Sequence, residues 1–321
     1  MEPISKPSLT PIMYYGLSFL LPLLSLLLLC PNRSEASTIL SVPEELETIP
    51  VYTLWLGGAD GRQPYDKAVV WLALEKSRKQ YGDFELRSYS RALNFERERI
   101  ESTRRESYQI HIAPYYSVTQ AREKAFIRVK EPIIKGLLGY RRLIIRAQDK
   151  AKFANISTAK QLSTVKAGQG VRWPDVAILR NNGIEVVEAL EFNSLFGMLN
   201  KQRFDFIPLG ANEVDASLRA AQKYYPELIL EPNIVLHFPM SIFLFVSVAN
   251  PELAERLEYG LKIAKADGSF DSLFTLHFHH VVTAMDSYET RLIRLNNTTV
   301  SAEKSPKTPQ LLHYFSGQPR P

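Results

Sequence analysis

The sequence predicts an α/β protein of two lobes, each a mainly parallel sheet flanked by helices. Short runs of strand-forming residues alternate with helical patterns along most of the chain, which is typical of parallel sheets covered on both faces. These units are too many for one sheet, and 321 residues with 45% hydrophobic residues are enough for two cores. We therefore expect two α/β lobes with a ligand site between them.

The first units begin after Pro50. The run VYTLWL predicts a strand, GGADGRQP predicts a turn, and the stretch from Asp66 places Val69 and Ala73 on one helical face until Gly82 ends it. The next predicted elements are a strand from Phe84, a charged helix over 94–105, a strand over 108–113 and a short helix over 119–124.

The same alternation continues toward the C-terminus. Ser157 and Thr158 precede a helix, and Gln161 stands near the capping-box position. Strands are predicted over 143–146, 165–168, 186–190 and 204–209, and helices over 174–181, 194–201 and 250–266. A long strand-like run over 232–247 is interrupted by Pro239. After Asn296 the composition turns to Ser, Thr, Pro and Lys, which predicts a tail with little core.

Composition excludes several kinds of site. Cys30 is the only cysteine, so an intramolecular disulfide, a zinc ribbon and an iron–sulfur site are excluded. His277 and His280 share a helical face, but no acidic pair lies near them in the sequence, and we expect neither a metal nor a cofactor. The net charge of +5 is mild. Arginines over 97–105 are interleaved with glutamates, which favours a solvated helix over a nucleic-acid-binding surface.

The N-terminus has the pattern of an export signal. The apolar run over 17–29 is shorter than the roughly 20 residues that span a bilayer, and Lys6 precedes it. Small residues at Ser34 and Ala36 favour cleavage that removes residues 1–36. Lipid attachment at Cys30 and an uncleaved membrane anchor are the alternatives. Either way, the pattern predicts an exported protein of the bacterial periplasm.

Three segments carry a resemblance to a known family: TQAREKAF from Thr119, GQGVRWPD from Gly168 and NPELAERLEYGLKIAKADGSFDSLF from Asn250. Together they resemble the type II periplasmic solute-binding proteins, the extracellular amino-acid-binding family of ABC importers, in a divergent branch labelled transporter substrate-binding domain proteins. The resemblance spans residues 51–295. It implies a monomer whose first lobe is 37–139 plus 240–295, whose second lobe is 140–239 with hinge segments at 140–146 and 233–239, and whose tail is 296–321.

The resemblance also implies ligand-binding residues in the first lobe. Thr119 and Arg122 match a segment whose arginine clamps the ligand's carboxylate, a role that suits the bidentate guanidinium group. The alternative for Arg122 is a surface arginine. Tyr65 stands where an aromatic ring commonly stacks on the ligand, and the alternative is a tyrosine that packs within its own lobe.

In the second lobe the matching loop is glycine-rich and enters a helix at Pro174. Its candidate ligand-binding residues are Gln169, Gly170, Arg172, Trp173 and Asp175. Arg172 and Trp173 replace the small polar residues usual in the family, which suggests a cationic or aromatic contact. The alternative is that Trp173 packs on the lobe surface and Asp175 caps the helix.

One departure from the family bears on the ligand. Gly210 stands where amino-acid binders usually carry an aspartate for the α-ammonium group, and Glu213 replaces that charge only if the loop runs differently. We therefore expect a small polar solute, anionic or amino-acid-like, delivered to an ABC permease or a membrane-bound sensor, and no enzymatic activity. The alternatives are a dehydratase-like enzyme on the same scaffold, with Glu213 as general base, or an envelope scaffold protein without a ligand.

Overall fold

The structure, a computed structural model, describes residues 49–56, 62–89, 108–114, 125–299 and 311–312, which belong to one unit, Thr48–Pro321. Its strands in these ranges are β1 (Val51–Trp55), β2 (Glu85–Tyr89), β3 (Ile110–Pro114), β4 (Phe126–Arg128), β5 (Tyr140–Arg146), β6 (Ala167–Gly170), β7 (Val186–Ala189), β8 (Phe206–Gly210), β9 (Leu228–His237), β10 (Ile242–Ser247) and β11 (Arg291–Arg294). Its helices are α1 (Gln63–Tyr81), α2 (Lys150–Ala154), α3 (Ala159–Leu162), α4 (Pro174–Asn181), α5 (Ser194–Asn200), α6 (Val214–Gln222), α7 (Pro251–Ala266) and α8 (Ser269–Met285).

The first lobe contains a five-stranded sheet in the order β2-β1-β3-β10-β4. β1 runs parallel to β2 and β3, whereas β10 runs antiparallel to β3 and β4. Helix α1 packs against α7 and α8, and it ends at Gly82, whose φ of 74° is a left-handed value that glycine tolerates. The predicted strand, helix and glycine stop of the first unit are confirmed.

The second lobe contains a six-stranded sheet in the order β11-β9-β5-β8-β6-β7. β6 runs parallel to β7 and β8, β11 runs parallel to β9, and β5 runs antiparallel to both β8 and β9. The protein is thus a mixed α/β fold of two sheets flanked by helices. Antiparallel pairs occur at β5 and β10, and each of these strands directly follows a passage of the chain from one sheet to the other.

The passages of the chain that directly precede β5 and β10 touch each other. Phe238 donates its backbone N–H to the carbonyl oxygen of Gly139 at 3.1 Å, and a Cβ at Gly139 would overlap the Phe238 carbonyl oxygen. The segments 140–146 and 233–239 are expected as hinges. In the structure, residues 140–146 form β5 and residues 233–237 belong to β9, and both strands lie inside the second sheet. The run interrupted at Pro239 is likewise two strands, one in each sheet.

Several local predictions are confirmed at the level of single residues. Thr158 and Gln161 form a complete capping box at the start of α3, and Pro174 begins α4. The helix predicted before Gly82 and the strand predicted after it, from Phe84, are present as α1 and β2. The helices predicted over 94–105 and 119–124 lie outside the described residues.

The C-terminal segments return to the second lobe. β11, expected in the first lobe, pairs in parallel with the free edge of β9. Arg291 Nη2 lies 3.0 Å from the buried carboxylate of Glu231, which also accepts backbone N–H groups of β9. Farther on, Asn297 donates to the carbonyl oxygen of Pro239 at 2.7 Å, and Leu312 is 0% exposed. The tail therefore contributes to the core, which its composition did not predict.

Candidate functional site

The two sheets turn their carboxyl edges toward each other. β3 ends at Pro114, which pairs with Ile242 at the start of β10. β8 ends at Gly210, which pairs with Arg141 near the start of β5. Because the chain passes between the sheets directly before β5 and β10, both passages join these same two edges. Ligands of open α/β sheets bind beyond the carboxyl ends of strands, so the candidate site lies between the lobes.

The first lobe contributes an ion pair at the start of α1. Arg62 Nε donates to Asp66 Oδ2 at 2.8 Å, and both residues are buried. Burial raises the pKa of Asp66 above its ordinary value, although Arg62 opposes this shift. The charge of Glu213, from the second lobe, raises the same pKa further. The two carboxylates therefore lie within electrostatic range of each other across the interlobe space.

The second lobe contributes the buried guanidinium group of Arg141. Its Nη2 lies 2.9 Å from Asp175 Oδ1, and its Nη1 lies 4.0 Å from Glu213 Oε1. The guanidinium also stands over the ring of Phe238, 5.2 Å from the centroid, at the passage between the sheets. Burial raises the pKa of Asp175, while the charge of Arg141 lowers it. Charged groups of both signs are thus held together at this edge.

Unpaired amide groups lie beside this charged cluster. A Cβ at Gly210 would stand 2.7 Å from Asn212 Oδ1 and 2.8 Å from Arg141 Nη1, so an aspartate there would displace both side chains. Asn212 is 7% exposed, and neither its Oδ1 nor its Nδ2 has a hydrogen-bond partner among the described residues. Gln169 donates through Nε2 to the carbonyl oxygen of Pro208 at 2.8 Å, and its buried Oε1 likewise lacks a partner in the described ranges.

Aromatic side chains follow β6 and β7 at the same edge. The ring of Trp173 stacks on that of Phe192 with centroids 5.8 Å apart and an interplanar angle of 27°. Gly170 makes room for Trp173, since a Cβ on Gly170 would come within 2.5 Å of the indole Nε1. Between them Arg172 has a φ of 62° and donates its backbone N–H to Glu188 at 3.2 Å. This turn holds the indole at the edge of the sheet.

The structure gathers most, but not all, of the predicted site residues. Those at the carboxyl edge of the second sheet are Gln169, Gly170, Arg172, Trp173, Asp175 and Glu213. Tyr65 is 1% exposed, donates its hydroxyl to the carbonyl oxygen of Ile133 and packs against His277 and Phe278, which fits the alternative of packing within its own lobe. Thr119 and Arg122 lie outside the described residues. The ligand-binding roles stay predictions.

Sequence reasoning missed five residues of this site: Arg62, Asp66, Arg141, Asn212 and Phe192. One signal was available, because Arg141 is the second residue of an otherwise largely apolar strand, YRRLIIR, and an arginine buried in such a strand requires a partner. In its sequence context Asp66 is an acidic residue in the first turn of a helix, which is a common arrangement and does not indicate a ligand site. Asn212 and Phe192 lie in turns, where polar and aromatic residues carry no specific signal.

Two further observations concern the described residues alone. Within them no group of three His, Cys, Asp or Glu side chains is arranged to hold a metal ion. Among the helices of these ranges, none combines the length and the apolar character needed to cross a bilayer.

Comparisons with known proteins gave structural matches only. No protein-family model matches the sequence, and no curated protein matches it. The chain is similar to a mutant of ArgBP from T. maritima, at 18% identity and a TM-score of 0.46, over 71% of this chain and 95% of that one. It is also similar to a Salmonella typhimurium periplasmic binding protein with high arginine specificity, at 16% identity and a TM-score of 0.49, over 71% and 99%. A third similar structure is substrate-binding domain 2 of GlnP from Lactococcus lactis in an open conformation, at 16% identity and a TM-score of 0.43, over 71% and 94%.

Proposed function

We propose that this chain is a solute-binding protein. It captures a small polar solute, anionic or amino-acid-like, between its lobes and presents it to an ABC permease or a membrane-bound sensor. One observation carries the proposal: charged side chains from both lobes converge where the two carboxyl edges face each other. Asp66 of the first lobe lies within electrostatic range of Glu213 of the second, and Glu213 adjoins the buried Arg141.

The arrangement suits capture by closure. Two short passages of the chain, directly before β5 and before β10, join the sheets and touch at Gly139 and Phe238, and a third passage runs from β10 through α7 and α8 to β11. A solute that contacts both lobes binds the closed arrangement more tightly than the open one, so it shifts the population toward closure. A partner that recognises the closed arrangement then receives only the loaded protein.

Export is a separate part of the proposal and rests on the sequence alone. The apolar run over 17–29, with small residues at Ser34 and Ala36, supports a signal peptide of residues 1–36. The protein then acts in the periplasm as a monomer. N-terminal sequencing of the protein secreted to the periplasm tests this part, and a chain that keeps its first residues in the membrane fraction contradicts it.

Thermal-shift screening of the purified chain from Ser37 onward tests the binding function. The panel contains amino acids, organic acids, short peptides and phosphorylated metabolites. A bound solute at 100 times its dissociation constant adds about 2.7 kcal/mol to the free energy of unfolding, which raises the melting temperature measurably. The absence of any shift across the panel contradicts the proposed function.

A matched pair of variants then locates the site. Glu213→Gln removes a charge but keeps an oxygen that accepts the Gly210 N–H, now at 3.2 Å, so we expect the fold to persist. If the solute is amino-acid-like and its ammonium group pairs with Glu213, the loss of this charge weakens binding about 10- to 100-fold in calorimetry, whereas a solute that is only anionic binds more tightly. The control is Glu185→Gln, an exposed carboxylate that pairs with Lys166 at the opposite edge of the same sheet. Equal affinities of the two variants place the site elsewhere.

A further inference from the structure

Two large apolar side chains are exposed at the carboxyl edge of the second sheet, and the partly buried Trp173 lies beside one of them. Leu190 is 83% exposed and Phe192 is 36% exposed, and Trp173 stacks on Phe192. We call Trp173, Leu190 and Phe192 the aromatic shelf. Exposure of such side chains is unfavourable in water, and an aromatic surface close to buried polar groups is typical of a small-molecule site.

The shelf is held rigidly from behind. Phe192 packs edge-on against the buried Phe196 of α5, with ring centroids 5.3 Å apart. The ring of Trp173 lies over Gly170. The next residue, Pro174, begins α4 and so restricts the backbone next to the indole. Rigid aromatic surfaces lose little conformational entropy when a second ring stacks on them, so the shelf is suited to a flat apolar group.

Polar groups of a particular kind lie on β6 and directly after β8, which are neighbouring strands at the same edge of the sheet. Asn212 is more than nine-tenths buried, and its amide offers a donor and an acceptor that have no partner in the described part of the chain. A buried amide without partners is costly, whereas a second amide placed opposite it satisfies both atoms at once. The unpaired Oε1 of Gln169, on the adjacent strand β6, accepts a further N–H.

The spacing of these groups limits the size of the solute. Asn212 follows β8 and Trp173 follows β6, and these two strands are neighbours in the sheet. Neighbouring strands lie about 4.8 Å apart, and β7, which precedes Phe192, lies one spacing farther, so the backbone segments that carry the amide and the shelf are about 5 to 10 Å apart. That distance is spanned by one aromatic residue with an adjoining peptide group.

We propose that the solute is an aromatic amide or a short aromatic peptide, with its ring on the aromatic shelf and its amide group paired with Asn212. The inference rests on the proposed solute-binding function and specifies its ligand class. The probe is N-acetyl-L-phenylalaninamide, which carries a ring and two amide groups. N-acetyl-L-alaninamide keeps the amides without the ring, and L-phenylalanine keeps the ring without the amides.

Isothermal titration calorimetry compares the three probes on the same protein. We expect the ring to improve binding about tenfold over N-acetyl-L-alaninamide, as aromatic stacking in a prepared site does. Phe192→Ala abolishes this advantage and Phe192→Tyr keeps it. The control is Tyr224→Ala, because Tyr224 is 79% exposed and lies between α6 and the start of β9, at the opposite edge of the sheet. Asn212→Ala weakens both amide probes about equally.

The outcomes separate this inference from the proposed function. Equal affinity for the two amide probes overturns the inference, and so does the absence of binding by N-acetyl-L-phenylalaninamide. If other solutes of the thermal-shift panel bind in that case, solute binding stands and only the ligand class is wrong. If none binds, both proposals fail.

Discussion

The closest approach between two helices of the first lobe makes a sharp prediction. Gly260 of α7 faces Ala73 of α1, and a Cβ on Gly260 would overlap the Ala73 carbonyl oxygen and lie 2.6 Å from its carbonyl carbon. The surrounding residues Val69, Leu257 and Leu261 are 0% exposed, so the two helices have no space into which to shift. We predict that Gly260→Ala strongly destabilises the first lobe.

The magnitude follows from the geometry. Carbon atoms in normal contact are about 3.5 to 4.0 Å apart, so the helices must separate by about 1 Å. Overpacking of this kind costs about 1 to 3 kcal/mol, and backbone atoms adjust less than side chains do. Replacing glycine by alanine in a helix recovers about 1 kcal/mol. The rigid backbone contact puts the cost at the upper end of the range for overpacking, and the movement also strains the bond from Arg256 to the end of α1, so we expect a net loss of about 2 kcal/mol.

Chemical denaturation with urea measures this loss, and the matched control is Gly197→Ala. Gly197 lies in α5, and its added Cβ meets only the hydroxyl oxygen of Tyr225 at 2.8 Å, the far end of a side chain that can rotate. We expect that variant to remain within about 1 kcal/mol of the parent. Equal stability of the two alanine variants would refute the close packing of α1 and α7.

Three further predictions concern stability. Arg256 is 2% exposed and donates to the Gly82 carbonyl oxygen at 2.6 Å and to Ser77 Oγ at 3.0 Å. Arg256→Met leaves these acceptors unpaired, so we expect the free energy of unfolding, measured in urea, to fall by about 2 to 4 kcal/mol, and an unchanged value would contradict the network. Burial lowers the pKa of His237 to about 4, so as the pH falls the unfolded chain binds a proton before the folded chain does, and the free energy of unfolding falls by about 2 kcal/mol between pH 7 and pH 5. His237→Gln removes this part of the pH dependence, and parallel plots of unfolding free energy against pH for the two proteins would exclude it. Leu312→Ala lowers the melting temperature through a loss of about 2 to 4 kcal/mol, and an unchanged value would show that the tail does not pack.

The secondary structure could be predicted wherever its cause is local. Gly82 ends α1, Pro174 begins α4, and Thr158 with Gln161 caps α3, and each signal lies within a few residues of its effect. The assignment of strands to sheets could not be predicted in this way. The run around Pro239 has the local pattern of one interrupted strand, yet its two halves join different sheets.

The candidate site was predicted in part for the same reason. Trp173, Asp175 and Glu213 follow strand ends in turn-rich sequence, Gln169 lies near the end of β6, and that pattern is visible locally. Arg141 was missed because its partner Asp175 is 34 residues away, and their contact depends on the pairing of β5 with β8.

The sequence alone determined the two-lobed α/β class, the positions of most strands and helices, and the exclusion of disulfide and thiolate sites. These properties depend on residue type and short-range periodicity. Only the tertiary structure decided that Arg141 lies against Gly210, that the amide of Asn212 is buried without a partner among the described residues, and that Leu312 is part of the core. Burial and ion pairing depend on which distant segments meet, and that choice is made by the packing of the whole chain.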